Sequence, residues 1–199
     1  MRILPGSDFE GWSQTYEKSW MQRFSFDPLH RAVLSAVGAD LRVDRLLDVG
    51  CGTGRLLRKA AERWPQATLL GMDAAGGMIA QARELTPGAE FYVAPAESLP
   101  LADNSVDLAF TTASFHHWSD KPQGVREIAR VLRSGGQFCL ADIRIGPLMA
   151  KVTALFSRQD GHARANTLAG TVRMFAEAGL EIQEHRGSWH DFVIVGRKP

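Results

Sequence analysis

Leu46-Leu47-Asp48-Val49-Gly50-Cys51-Gly52-Thr53-Gly54 is the stretch that decides how this chain is read. Leu46, Leu47 and Val49 form a short apolar run that meets three glycines at alternate positions, the pattern of a buried strand entering a tight turn. Beyond Gly54, Leu56, Leu57, Ala60, Ala61 and Trp64 recur at helical spacing until Pro65 stops the pattern. The unit is a strand, a glycine turn and a helix. Glycine accepts positive φ and carries no Cβ, so a ligand can lie directly on the backbone of such a turn. The helix behind it points free N–H groups and its positive dipole end at that ligand.

Asp73 adds a second mark. It ends the next apolar run, Thr68-Leu69-Leu70-Gly71-Met72, about 20 residues past the turn, where a doubly wound sheet presents a carboxylate to the two hydroxyls of a ribose. The plainer alternative is an aspartate capping the helix that starts near Gly76. Two nucleoside cofactors compete for this geometry. A dinucleotide fold asks for G-x-G-x-x-G, whereas this chain has G-x-G-x-G with acidic Asp48 two positions before the first glycine.

That stretch, with Asp73 beyond it, resembles the first motif of class I S-adenosylmethionine-dependent methyltransferases, most closely the small-molecule branch called type 11. The resemblance implies S-adenosyl-L-methionine as cofactor, held by Asp48, Gly50, Cys51, Gly52, Gly54, Asp73 and Ala74, with Asp73 at the ribose. It covers residues 28–142 most clearly.

The length of 199 residues suits one domain that buries about 70% of its unfolded surface. Hydrophobic content of 45% and charged content of 23% are those of a globular protein. With 23 basic and 22 acidic side chains the formal charge is +1, so no global field draws the chain to nucleic acid or to a membrane surface. Cys51 and Cys139 form no C-x-x-C pair, which argues against a zinc site or a disulfide framework and for a reduced, cytoplasmic protein. The N-terminus reaches Pro5-Gly6 after two apolar residues and reads as no signal peptide.

Trp12, Tyr16 and Trp20 fall at i, i+4, i+8, one aromatic face of a helix within residues 1–27. The plain reading is a helix packed on the domain. In the resembling family this region caps the cofactor, which makes Tyr16 a candidate contact. Leu29, Ala32, Val33, Ala36 and Val37 make a helical stripe from Pro28 that Gly38 ends.

Strands and helices then alternate: strands at 68–72, 89–94, 106–111 and 137–141, and helices at 76–85 and 121–132, the last stopped by Ser134-Gly135-Gly136. Such alternation predicts a parallel sheet with helices on both faces. Residues 143–166 fit a substrate-side insert. A helix through Leu168, Val172 and Phe175 ends at Gly179. Then Leu180–Gln183 and Phe192–Val195 flank a turn at Arg186-Gly187-Ser188, which predicts an antiparallel hairpin. The expected fold is α/β, a doubly wound, Rossmann-like sheet of seven strands closed by that hairpin. The resemblance implies the order 3-2-1-4-5-7-6.

Ligands in such a sheet bind beyond the carboxyl ends of the strands. There Ala94-Pro95-Ala96-Glu97 looks like the family's second signature, in which an acidic residue meets the adenine amino group. The family has Gly-Asp-Ala-Glu, and Pro95 cannot replace its aspartate. Ala96 and Glu97 are the candidates left, and an exposed loop carboxylate is the plain alternative for Glu97. After the fourth strand, Thr112 is placed by the resemblance against the methionine part of the cofactor. His116 and His117 follow. At most one of these adjacent histidines faces the site, as a general base for an acceptor that carries a proton, and otherwise one caps the loop.

No H-x-x-H or carboxylate pair suggests a metal. The function expected is methyl transfer to a small-molecule acceptor. Its rivals are a cofactor-binding scaffold without catalysis and a nicotinamide-dependent oxidoreductase.

Overall fold

The computed structural model describes residues 26–38, 41–143, 167–188 and 191–199. Tyr16 and nearly all of the expected N-terminal cap and insert lie outside the described residues.

The elements in chain order are α1 (Asp27–Ala36), β1 (Arg45–Val49), α2 (Arg55–Arg63), β2 (Thr68–Asp73), α3 (Gly76–Leu85), β3 (Glu90–Val93) and β4 (Val106–Thr112). After β4 come a 3-10 turn (Phe115–His117), α4 (Lys121–Val131), β5 (Leu132–Ile143), α5 (Leu168–Glu177), β6 (Glu181–Gly187) and β7 (Asp191–Arg197). The seven strands form one sheet in the order β3-β2-β1-β4-β5-β7-β6, parallel except where β7 runs antiparallel to both β5 and β6.

Alternate residues of each strand serve opposite faces, as the two-residue period of a strand requires. Leu47, Val49, Leu70, Met72, Ala109 and Leu140 pack against Val125 and Ile128 of α4 and Phe175 of α5. Leu46, Leu69, Leu108, Phe110 and Cys139 face Leu29 and Val33 of α1, Leu56 and Leu57 of α2 and Ile79 of α3. Both faces are covered, so the central strands read as unbroken apolar runs. Phe138 and Phe175 stack with ring centroids 4.7 Å apart and seat α5 on the sheet. Among the described residues no helix is long and apolar enough to cross a membrane.

Three boundaries differ from the sequence expectations. Helix α4 ends at Val131, and Ser134-Gly135-Gly136 is an irregularity inside β5, with Gly135 at φ +82° and Leu132 already paired to Val106. The chain passes from helix to strand with no loop because Lys198, arriving beside β5, takes over the orphan carbonyls of the helix end. Its Nζ donates to Ala129 O and Leu132 O, each at 2.8 Å.

At the end of α1, Val37 is extended and Gly38 does not adopt positive φ. The terminal carbonyls accept from Arg63 of α2 instead: Leu34 O takes one bond, and Val37 O another at 3.0 Å. In the hairpin, Arg186 and Gly187 belong to β6. The turn begins at Ser188, whose N–H donates to Asp191 O at 2.9 Å.

Candidate active site

The carboxyl ends of β1, β2, β4 and β5 converge, as the parallel topology dictates, and each contributes one feature. Leaving β1, the chain bends sharply: Gly50 N and Cys51 N both donate to Met72 O of β2, at 2.7 and 2.9 Å. Gly50, Gly52 and Gly54 all adopt positive φ, +73°, +53° and +77°. That is a backbone only glycine follows without strain. Gly50 also meets β4's exit, where an added Cβ would lie 1.8 Å from Ser114 Oγ. Ser114 Oγ accepts from Trp118 Nε1 at 3.1 Å. Ala113, just before it, holds φ +49° although it has a Cβ.

Asp73 clamps the turn from β2. Its Oδ2 accepts from Gly52 N and its Oδ1 from Ala75 N, both at 2.9 Å. Burial raises its pKa, with bonds from Ala75, Gly52 and Ala74 opposing the shift. The two expected roles for Asp73 are therefore compatible: the carboxylate fixes the turn and the start of α3, and a carboxylate's roughly four acceptor sites exceed the three backbone groups bonded to it.

Asp48 carries an unsatisfied oxygen. Its side chain sits at the tip of β1, 1% exposed, and its Oδ1 is buried without a hydrogen-bond partner among the described residues. Burial, and then the charge of Asp73, push its pKa up to about 8. It borders a cavity of about 30 Å³ shared with Gly50, Cys51, Gly52, Thr53, Arg55 and Thr112, and with Phe26 and His30 of the α1 segment. Burial drives His30 down to about 3, so its imidazole is neutral. Arg55 is tied to Asp27 of α1, Nε to Oδ1 at 3.1 Å. Cys51 is buried and its thiol pKa raised, which makes it a wall of the cavity rather than a nucleophile.

An orphaned buried carboxylate oxygen beside a glycine turn suits the ammonium group of an amino-acid-bearing nucleoside. The residues present thus fit S-adenosylmethionine: Asp48 suits an ammonium and Asp73 suits the hydroxyls of a ribose.

The other expected residues are placed as follows. Ala74 follows the clamp and is exposed, and Thr112 lines the cavity. Ala96 is buried in the α4-side core, so its side chain is closed to a ligand. Glu97 accepts from Asp120 N through Oε1 at 2.9 Å, while Asp120 caps α4 by accepting from Gln123 N. Half of that carboxylate is thereby engaged in holding the helix start.

His116 and His117 sit in the 3-10 turn with ring centroids 3.9 Å apart. His116 is tied at both ends to Asp142, backbone N to Oδ2 and ring Nδ1 to Oδ1, each 2.8 Å. His117 is exposed. Sequence reasoning missed Asp142, His30 and Ser114. Asp142 had a usable signal, a carboxylate closing the buried run Cys139-Leu140-Ala141, as Asp73 closes its own. Among the described residues no cluster of three or more His, Cys, Asp or Glu is set to hold a metal.

A fold of this order with a glycine turn and two carboxylates at the strand tips defines a nucleoside-cofactor enzyme of the methyl-transferring kind. The model of a methyltransferase domain matches residues 47–140. A malonyl-[acyl-carrier protein] O-methyltransferase of Methylococcus capsulatus is 32% identical over 92% of this chain and 72% of its own. One from Serratia marcescens is 32% identical over 67% of this chain and 51% of its own, so the chain spans about half of that relative. A methyltransferase of Haloferax volcanii, solved in complex with the Trm112 methyltransferase activator, superposes with a TM-score of 0.77 at 21% identity, covering 98% of this chain and all of that one. A SAM-dependent methyltransferase from Aquifex aeolicus gives 0.72 at 19% identity, over 94% of this chain and 97% of its own.

The chain belongs to the class I S-adenosylmethionine-dependent methyltransferases of type 11. S-adenosylmethionine is accordingly its cofactor, and the nicotinamide reading is set aside.

With the cofactor's ammonium beside Asp48, binding should depend on pH. At a pKa of about 8 Asp48 is mostly protonated at pH 7 in the free protein. An ammonium placed beside it favours the ionised form. Binding at pH 7 should therefore release close to one proton, and affinity should rise with pH up to about 8 and level off above. Calorimetry with S-adenosylhomocysteine in two buffers of different ionisation enthalpy reads this directly. Equal heats at pH 7 would sink the idea. Between the unfolded value near 3.8 and about 8, the folded protein holds a proton that the unfolded chain has lost, so this group lowers the stability of the free protein as pH rises through that window.

Proposed function

We propose that the protein transfers a methyl group to a small-molecule acceptor in the cytoplasm. What supports this most is the buried, unpartnered Asp48 Oδ1 against the cavity of the glycine turn, which asks for a cationic ligand group. Asp48 would take the ammonium of the cofactor, Asp73 its ribose hydroxyls, and Thr112 would lie against its methionine part. When bound, the cofactor supplies a sulfonium methyl group that is already strongly electrophilic.

The chain's own task is then to exclude water and to hold the acceptor in line, and positioning of this kind can supply most of the rate. The acceptor side is read at the ends of β4 and β5, around His116 and Asp142. The two buried free thiols favour a reducing compartment.

The malonyl-[acyl-carrier protein] O-methyltransferase relatives favour a second reading, an acceptor delivered on a carrier protein. Incubation with methyl-labelled cofactor separates the two, once with a small-molecule metabolite extract and once with malonyl-loaded acyl-carrier protein. Label is expected among the small molecules. Label confined to the carrier protein would replace the first reading with the second, and tight cofactor binding with no transfer in either would favour a scaffold.

A further inference from the structure

Asp142, the penultimate residue of β5, is fully buried, and its two oxygens accept three N–H groups. Oδ2 takes His116 N at 2.8 Å, and Oδ1 takes Ile143 N at 2.7 Å and the His116 ring at 2.8 Å. A carboxylate that only accepts requires the ring to carry a proton on Nδ1. In the neutral ring the lone pair is then on Nε2, which makes no hydrogen bond among the described residues and is not one of the buried unpartnered atoms.

The His116 side chain is 13% exposed, so the ring is held within the protein and still reachable. It lies two residues after Ser114, whose Oγ abuts Gly50 of the cofactor turn. Lys121 of α4, 2% exposed, anchors the following segment through Trp118 O at 3.2 Å. Among the described residues the charged and titratable groups around His116 are Asp142 from β5, His117 from its own turn, and Lys121 from α4 with Glu97 beyond it.

Resting on the proposed methyl transfer, we infer that His116, oriented by Asp142, is the general base of this site and that the acceptor belongs to the class that carries a proton at neutral pH, such as a hydroxyl, rather than a carboxylate. The acceptor's X–H proton passes to Nε2 while its electron pair forms the X–CH3 bond. The S–CH3 bond breaks with its pair left on sulfur, so the products are the methylated acceptor, the neutral thioether and an imidazolium that returns its proton to water. Asp142 is a positioning residue: it sets the tautomer and faces the imidazolium with a negative charge. A carboxylate acceptor has no proton to lose and gives such a pair nothing to do.

The test uses the full chain, methyl-labelled S-adenosylmethionine and a metabolite extract, with the labelled products then treated with mild alkali. Ethers, N-methyl and C-methyl products keep the label, whereas methyl esters release it as methanol. The expected result is alkali-stable label. His116→Ala should lower kcat roughly 10²–10⁴-fold, remove the acid limb of its pH profile, leave S-adenosylhomocysteine affinity nearly unchanged and regain rate with added imidazole. Asp142→Asn should lower kcat rather than raise KM. A histidine that merely braces the loop would show neither imidazole rescue nor a lost limb, and that result, or alkali-labile label, overturns the inference while leaving methyl transfer standing. A wild type that binds S-adenosylhomocysteine yet transfers nothing removes the proposed function and this inference together.

Discussion

Replacing Asp73 by alanine is expected to weaken cofactor binding by on the order of 1.5–3 kcal/mol, about 10- to 150-fold, the usual scale for hydrogen bonds to a charged acceptor. The structure adds a second consequence. Asp73 holds Gly52 N and Ala75 N, both at 2.9 Å, so its loss strips two backbone donors of their acceptor and loosens the turn as well as the ribose site. Calorimetry with S-adenosylhomocysteine should show the weaker affinity, and thermal melting of the free protein a lowered midpoint. Asp73→Asn should be milder in both, because its one remaining acceptor can serve Gly52 N or Ala75 N but not both. An Asp73→Ala variant with lowered stability and full affinity would confine the residue to bracing the turn.

The second large effect is expected at Gly50. Alanine there must adopt φ +73°, at about 1–2 kcal/mol for a left-handed residue with a Cβ. It must also displace Ser114, whose Oγ and Cβ lie 1.8 and 2.5 Å from the new atom. Overpacking of this kind adds about 1–3 kcal/mol. The sum, on the order of 2–5 kcal/mol, should appear as a lower melting temperature and as loss of cofactor affinity, because the displaced segment is the one that carries Thr112 to the cavity. Pairing Gly50→Ala with Ser114→Gly should recover the packing part and leave the backbone part. A single variant that melts like the wild type would show that the turn tolerates another path.

The glycine turn, Asp48 and Asp73 were legible because each is local. An apolar run, its stopping residue and the polar residue at its tip stand next to one another in the chain, and a parallel sheet brings all such tips to one edge. The strand order was legible only through the resemblance, since periodicity shows strands without showing which ones pair. Asp142 went unread because its partner, His116, is 26 residues away. Glu97 could not be settled either, since its engagement with Asp120 N depends on how the loop after β3 folds against α4.

Sequence by itself determined the α/β alternation, the two-faced core and the residues at the tips of β1 and β2, because hydrophobic period and turn chemistry act within a few residues. Only the tertiary structure decided what meets across the strands. Lys198, by reaching the carbonyls at the end of α4, lets that helix run straight into β5. Burial left Asp48 Oδ1 unpaired and raised its pKa to about 8. And β5, by lying beside β4, gave the histidine turn a carboxylate partner at His116 Nδ1. Each of these depends on the distance and solvent exclusion that packing creates, and neither can be read along the chain.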